Sequence, residues 1–186
     1  MPDLYYHNNY TSSGDRTLIQ ERDAIKKAAL QVAELMVAAA KTAPKARGID
    51  NIVSVILTEK EELEELAKKM EELAPMYGDF FRRDATNVRN SDAVVIIGCK
   101  IVKVGLRQPE HIGIDVELAN SLVNLGIAVG SAVKVASMLN VDNRIMYSIG
   151  VAALAMKLLE ADYALGVPLS IKAKNIYFDR VWPPKQ

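Results

Sequence analysis

The feature that most constrains the fold is a change of hydrophobic period along the chain. Short apolar runs rich in β-branched residues, such as IVSVIL at 52–57 and DAVVIIGC at 92–99, have the length of buried strands. Between such runs, apolar residues recur every three or four positions, as in amphipathic helices. The pattern predicts an α+β fold, with strands at 52–57, 93–98 and 164–169 in a central sheet flanked by helices. Pro168 donates no ladder bond, so we expect it at a strand end or a sheet edge.

The first predicted helix leads into a basic loop. Its apolar stripe begins after residue 17, and it must stop before Pro44, whose ring disfavours helical geometry for the preceding residue. The loop 41–51, KTAPKARGIDN, then brings Lys45 and Arg47 next to Gly48, which can adopt a positive φ and present its N–H to a ligand. Two interpretations stay open: the loop binds an anion, or it turns the chain and its cations are solvated.

The second predicted helix follows the strand at 52–57. Thr58 and Glu61 have the spacing of a capping box, and Leu63, Leu66, Met70 and Leu73 form an apolar face. We expect Pro75 and Gly78 to end this helix.

A long helix rich in small residues is predicted at 116–139. Gly126 and Gly130 lie four residues apart and therefore share one face. Each glycine costs about 1 kcal/mol relative to alanine inside a helix. Either another helix of the core packs against them, or another backbone or a ligand approaches closely. A last helix is predicted after Asp142 or Asn143, which would cap it.

Composition limits the classes of function. Lys and Arg number 23, as do Asp and Glu, so the sequence offers no broad basic face for nucleic acid. The chain of 186 residues fits one domain spanning 1–186, with 1–16 as an N-terminal extension. Its N-terminal stretch has no apolar core flanked by cations, and its apolar runs contain Gly, Ser or Lys. We expect a cytoplasmic protein with no membrane or nucleic-acid partner.

Metal and thiol chemistry have little support in the sequence. Cys99 is the single cysteine and ends an apolar strand, so we expect a small buried side chain. His111 has no second ligand at metal-binding spacing, and we expect it to be solvated in a loop. No metal site and no catalytic acid or base can be assigned.

Three blocks carry a family resemblance: AAKTAPKARGIDNI, NLGIAVGSAVKVASMLNVDNRIMYSIGVAA and GVPLSIKAKNIYFDR. Together they resemble uncharacterised prokaryotic proteins described as containing a ferredoxin domain, over residues 21–180. In that family, a group of cysteines suggestive of an iron–sulfur cluster lies between the second strand and the long helix. The corresponding segment here contains no cysteine, and Cys99 alone cannot supply the four thiolates such a cluster normally needs. We therefore expect no iron–sulfur cluster.

The order of elements is also similar to that of flavin-dependent nitroreductases. This resemblance implies an intertwined homodimer with a central sheet and FMN at the subunit interface. The N-terminal Arg-rich phosphate motif of those enzymes is not visible here. The candidate cofactor-binding residues are Lys45, Arg47, Gly48, Asn51, Gly126, Gly130, Arg144, Lys172 and Lys174.

Two functions follow from these resemblances. The first is an FMN-binding oxidoreductase, in which the cofactor carries hydride transfer and the protein binds and orients it. The alternative is a non-catalytic dimeric scaffold or small-ligand binder that has lost the family's cysteines. An iron–sulfur protein that borrows a partner's thiolates needs more assumptions and ranks last.

Overall fold

The computed structural model describes residues 18–178. The proposed N-terminal extension lies outside this range. The elements in chain order are α1 (Glu21–Thr42), a 3₁₀ turn (Ala46–Gly48), β1 (Ile52–Leu57), α2 (Lys60–Tyr77), α3 (Phe80–Arg89), β2 (Ala93–Cys99), α4 (Val116–Met138), β3 (Asp142–Asn143), α5 (Tyr147–Ala155) and β4 (Tyr163–Ser170).

The sheet is antiparallel, with strand order β1-β2-β4-β3. Val55 pairs with Ile96, and Val95 pairs with Val167. All residues of β2 are buried, as expected for a central strand with both faces covered. The three predicted strands are confirmed, and a short strand, β3, joins them.

Helices cover both faces of the sheet. On one face, α1 and α4 pack together over side chains such as Val95 and Val167. On the other face, α2, α3 and α5 pack over Val94 and Ile96. This layered arrangement confirms the α+β class.

Two glycines allow α5 to lie very close to β4. A Cβ on Gly150 would lie 1.8 Å from the carbonyl oxygen of Ala164, and one on Gly166 would lie 2.0 Å from Cγ2 of Ile149. Neither position has room for a side chain without a shift of the backbone.

The predicted end of α2 at Gly78 is confirmed, but its start differs from the prediction and Pro75 does not end it. The capping box is formed by Glu59 and Glu62, one position beyond Thr58 and Glu61. Pro75 lies inside the helix, and the end is at Gly78, with φ 119°. A proline near a C-terminus removes only one helical hydrogen bond, and the Gly78 N–H still reaches the Ala74 carbonyl at 2.8 Å.

The sequence pattern also missed α3 and misplaced the start of α5. The ten-residue α3 was not predicted, because its sequence FFRRDATNVR carries few aliphatic residues. In addition, α5 begins at Tyr147 with Met146 as its N-cap, while Asp142 and Asn143 form β3. The prediction that one of them caps the helix is therefore wrong, because both residues pair with β4 and lie several residues before the start of α5.

Pro168 lies inside β4, opposite Val94, in a strand with neighbours on both sides. The expectation of a strand end or sheet edge is wrong. Gly166 exchanges both backbone hydrogen bonds with Met146, on the side away from β2. Pro168, two residues further on, directs its nitrogen to the same side, where β3 has already ended at Asn143. The ring therefore removes no ladder bond.

The helix α4 matches its predicted bounds to within one residue. Among residues 18–178, it is the helix long and apolar enough to cross a membrane, with a mean hydropathy of 1.4 over its best window. Its Gly and Ser residues do not interrupt the helix. One side of α4, including Ala128 and Ala132, packs against α1 within the core.

Candidate functional site

Two buried amides fix the loop 41–51 in place. The side chain of Asn124 on α4 donates to Oδ1 of Asn51 at 3.0 Å and accepts from the Ala46 N–H at 2.9 Å. Asn51 in turn donates to the Lys100 carbonyl at 2.8 Å. Both amide side chains belong to residues only 3% exposed, so these bonds are shielded from water. Asn51 thus anchors the loop, and sequence reasoning missed its partner Asn124.

Lys45 caps the C-terminus of α1. Its ammonium group donates to the carbonyls of Ala40, Lys41 and Ala43, at 3.1, 2.7 and 2.8 Å. These bonds satisfy carbonyls at the end of the helix and place a cation at the negative end of its dipole. All three ammonium donors have partners within the chain.

Arg47 and Gly48 form the tip of the loop with left-handed backbones, at φ 54° and 70°. The chain therefore curves at Gly48, as an anion site in this loop would require. The Arg47 guanidinium donates from Nη1 to the Val104 carbonyl at 2.6 Å. A guanidinium has five N–H donors, so one such bond leaves others for a ligand.

The glycines of α4 face away from the core. A Cβ on Gly126 or Gly130 would meet no atom within 4 Å. Beside them, Leu122, Val123 and Ile127 are 38%, 55% and 40% exposed. Packing against another helix within the core is therefore wrong as the reason for these glycines. We call this surface, formed by residues 118, 122, 123, 126, 127 and 130, the α4 face.

A second group of candidate cations lies near β3 and the end of β4. Arg144 donates to the Tyr177 carbonyl at 3.2 Å and lies over the ring of Phe178. Lys172 donates to the Asn90 carbonyl at 2.6 Å and lines a cleft of about 690 Å³ at the start of α1. Lys174 is exposed.

The two groups lie at opposite ends of the sheet. The loop 41–51 adjoins Lys100, just after the end of β2, whereas Lys172 contacts Asp92, just before its start. An extended strand of this length separates these ends by roughly 25 Å. Within one chain, the structure brings Lys45, Arg47, Gly48 and Asn51 together near α4, and Arg144 and Lys172 together elsewhere.

A buried polar seam between α3, α5 and the C-terminal segment was not found from the sequence. Ser148 donates to Oδ2 of Asp84 at 2.7 Å, and the Ser91 and Tyr177 hydroxyls are 2.9 Å apart. Burial raises the pKa of Tyr177. Nδ2 of Asn87 is buried without a partner among the described residues. The signal was the pair of polar residues Asp84 and Asn87, three positions apart on one face of α3, followed by Ser91 just after the helix.

Cys99 is fully buried, as predicted, and burial raises the pKa of its thiol to about 11. A thiol with this pKa is protonated at neutral pH and reacts slowly. His111 is exposed, also as predicted. Between residues 18 and 178, no three His, Cys, Asp or Glu side chains form a group able to hold a metal ion. The absence of an iron–sulfur cluster stays a prediction.

Comparison with known proteins identifies the family. The family described as "Uncharacterized protein containing a ferredoxin domain" (DUF2148) matches residues 116–180. An uncharacterized protein of Archaeoglobus fulgidus is 40% identical over 182 residues, which cover 88% of this chain and 97% of the relative. The chain belongs to this family. The resemblance to this family that the sequence predicted is confirmed.

Solved structures similar to this ferredoxin-domain family protein are nitroreductase-like. A nitroreductase with bound FMN from Desulfitobacterium hafniense has a TM-score of 0.56 and 15% identity, covering 77% of this chain and 78% of that one. An NADPH:FMN oxidoreductase from Vibrio harveyi, complexed with NAD⁺, has a TM-score of 0.55 and 14% identity, covering 78% and 60%. At these identities the likeness shows the fold, which is nitroreductase-like.

Proposed function

We propose that this protein is an FMN-binding oxidoreductase that works as a homodimer, with each cofactor site shared between two copies. The observation that carries the proposal is the separation of the candidate residues. One small cofactor cannot contact both the Arg47 loop and the Lys172 group of the same chain, because they lie at opposite ends of the sheet. Two copies arranged antiparallel would bring the loop of one next to the Lys172 group of the other.

The α4 face is the proposed dimer interface. It exposes several aliphatic side chains around two glycines with open space above them. Only 39% of the most apolar window of α4 is buried by the rest of the chain. Stable homodimers commonly bury more than about 2,000 Å² in total, and their interfaces resemble a domain core cut in half. The exposed aliphatic residues of the α4 face would form the apolar centre of such an interface.

The donor set fits FMN chemically. Arg47 retains guanidinium donors that a ligand can accept. Gly126 and Gly130 are assigned to the dimer contact rather than to the flavin ring. Arg144, Lys172 and Lys174 supply cations suited to a phosphate. When bound, FMN supplies hydride transfer, and the residues named here bind and orient it.

The Arg47 guanidinium has a further role in this proposal. A fixed positive charge beside the cofactor ring favours a negatively charged reduced state, because the opposite charges attract in a site with little water. Lys45 is assigned a smaller role, since its three donors already cap α1. The cofactor-binding role of each residue is a proposal that rests on this geometry.

The first test is the absorbance of the purified protein. An FMN protein absorbs near ~450 nm, and the flavin rather than the polypeptide causes the band. If purified protein is colourless, the apoprotein is titrated with FMN and binding is followed by quenching of flavin fluorescence. A colourless protein that also fails to bind added FMN contradicts the proposal.

The second test replaces single cations of the loop. Arg47→Ala should weaken FMN binding by about 1.5 to 3 kcal/mol, the usual effect of losing a hydrogen bond to a charged group. Lys41→Ala is the matched control, because Lys41 is an exposed cation of the same loop that pairs with Asp50. Equal affinities for Arg47→Ala and Lys41→Ala would remove the loop from the proposed site.

A dimeric scaffold without catalysis is the second candidate. The capping of α1 by Lys45 and the bond from Arg47 to Val104 favour it, because both cations already have structural partners. This candidate predicts a homodimer that binds no flavin. Light scattering combined with the FMN titration separates the two.

A further inference from the structure

The segment 100–115 crosses from β2 to α4 without regular secondary structure, yet side chains of α4 fix its first half. The Glu117 carboxylate accepts hydrogen bonds from three consecutive backbone N–H groups, those of Val104, Gly105 and Leu106, each at 2.8 Å. Ser121, one turn further along α4, accepts from the Val102 N–H at 3.2 Å. One carboxylate therefore holds three consecutive backbone donors of this stretch.

The arrangement is a backbone anion nest filled by a side chain of the same protein. Gly105 has φ 80°, a left-handed conformation that turns consecutive N–H groups towards one point. Glu117 also lies in the first turn of α4, where the helix dipole favours a negative charge. Hydrogen bonds from the backbone N–H groups of Val104, Leu106 and Gly105 lower the pKa of Glu117.

Val104 connects this nest to the basic loop. Its N–H is bound by Glu117, and its carbonyl accepts from Nη1 of Arg47 at 2.6 Å. Gly105 lies against the same guanidinium, since a Cβ there would be 3.1 Å from Nη1 of Arg47. When the nest is closed, the segment therefore holds the Arg47 side chain in one position.

The second half of the segment has an independent anchor. The Gln108 side chain donates to the carbonyls of Ile112 and Ile114, at 2.8 and 3.0 Å, and accepts from the Val116 N–H at 3.1 Å. These bonds involve neither Glu117 nor Arg47. The first half can therefore open while Gln108 keeps the second half attached to α4.

We propose that Glu117 is a latch, which holds residues 102–107 closed over Arg47 and whose release frees the Arg47 guanidinium. Within 102–107, Val104 is buried at 4% exposure, whereas Lys103, Gly105, Leu106 and Arg107 are exposed, so opening this stretch uncovers one buried apolar side chain. Segments with few buried contacts open far more often than the whole domain unfolds. The latch depends on contacts within one chain and does not rest on FMN binding.

The test is amide hydrogen exchange of the full-length protein with Glu117→Gln. This variant keeps the size of the side chain and removes the charge that three N–H groups share. Exchange at residues 104–106 should be faster by about fivefold or more, while exchange in β2 stays as in the wild type. The matched control is Glu110→Gln in the same segment, since Glu110 is exposed and forms no hydrogen bond or ion pair with residues 18–178.

Limited proteolysis provides a second measurement in the same variant. Trypsin cleaves only where the backbone can become extended, so cleavage after Lys103, inside the closed segment, should accelerate in Glu117→Gln and not in Glu110→Gln. Unchanged exchange at 104–106 overturns the latch. An equal loss of protection in β2 also overturns it, because the carboxylate would then support the whole fold rather than a local closure.

A second variant tests the latch at Gly105 instead of Glu117. Gly105→Ala places a Cβ in a left-handed conformation and 3.1 Å from the Arg47 guanidinium, so it disfavours the closed segment without touching Glu117. It should accelerate exchange at 104 and 106 and tryptic cleavage after Lys103, as Glu117→Gln does. If Gly105→Ala folds and leaves both measurements at wild-type values, the proposal is wrong.

Discussion

Replacing Gly126 and Gly130 of α4 by alanine tests the dimer most directly. Within one chain the two methyl groups meet no atom within 4 Å, so they add no steric strain. Alanine is favoured over glycine inside a helix by about 1 kcal/mol per position. The double variant should therefore raise the free energy of unfolding of the isolated chain by about 2 kcal/mol, which corresponds to about 4 to 8 °C in Tm for a domain of this size.

The same change should weaken the dimer. If the α4 faces of two copies pack closely at these glycines, four new methyl groups intrude into one interface. Overpacking of a close interface costs about 1 to 3 kcal/mol, so the dissociation constant should rise by about 5- to 150-fold. Sedimentation velocity over a concentration series measures this constant, and urea unfolding at low concentration measures the chain alone.

Gly150→Ala is the matched control for the steric argument. Its Cβ would lie 1.8 Å from the Ala164 carbonyl oxygen, so this variant should lose stability where the α4 variants gain it. If the Gly126 and Gly130 variant keeps the wild-type dissociation constant, the α4 faces of two copies do not pack closely at these glycines. A wild-type protein that is monomeric at micromolar concentration refutes the dimer itself.

Further predictions concern the core and the surface charges. Asn124→Ala should reduce the free energy of unfolding by about 2 to 3 kcal/mol in urea titrations, because it leaves a buried amide and a loop N–H unpaired. Cys99, with its pKa raised to about 11, should resist iodoacetamide at pH 8 until the protein is unfolded, so labelling that matches a free thiol would contradict its burial. Arg89 lowers the pKa of both Glu64 and Glu71, so their contribution to stability is present above the ordinary carboxylate pKa of about 4.3 and is lost as pH falls. Thermal unfolding of Arg89→Met from about pH 6 to about pH 3 should therefore show a smaller decrease in Tm than the wild type, and an equal decrease would assign the pH dependence to other carboxylates.

The sequence by itself determined the elements whose signal is local. The strand at 52–57 was predicted with its observed bounds, and the helix at 116–139 was predicted to within one residue of its end. Hydrophobic period depends only on neighbouring residues and on the geometry of one element, so it can be read without knowing the fold. The left-handed backbone of Gly48 and the burial of Cys99 followed from the properties of single residues.

Only the tertiary structure decided where side chains lie relative to other elements. The sequence placed Gly126 and Gly130 on one face of α4, but whether α1 or open space adjoins that face depends on how the helix rotates onto the sheet. Pro168 was acceptable within β4 because the neighbouring strand ends at Asn143, opposite Leu169, one residue before the position that faces Pro168. The local pattern does not contain this fact. The candidate cations were predicted as one set, and the antiparallel sheet separated them, because residues distant in sequence are brought together or apart only by strand order and direction.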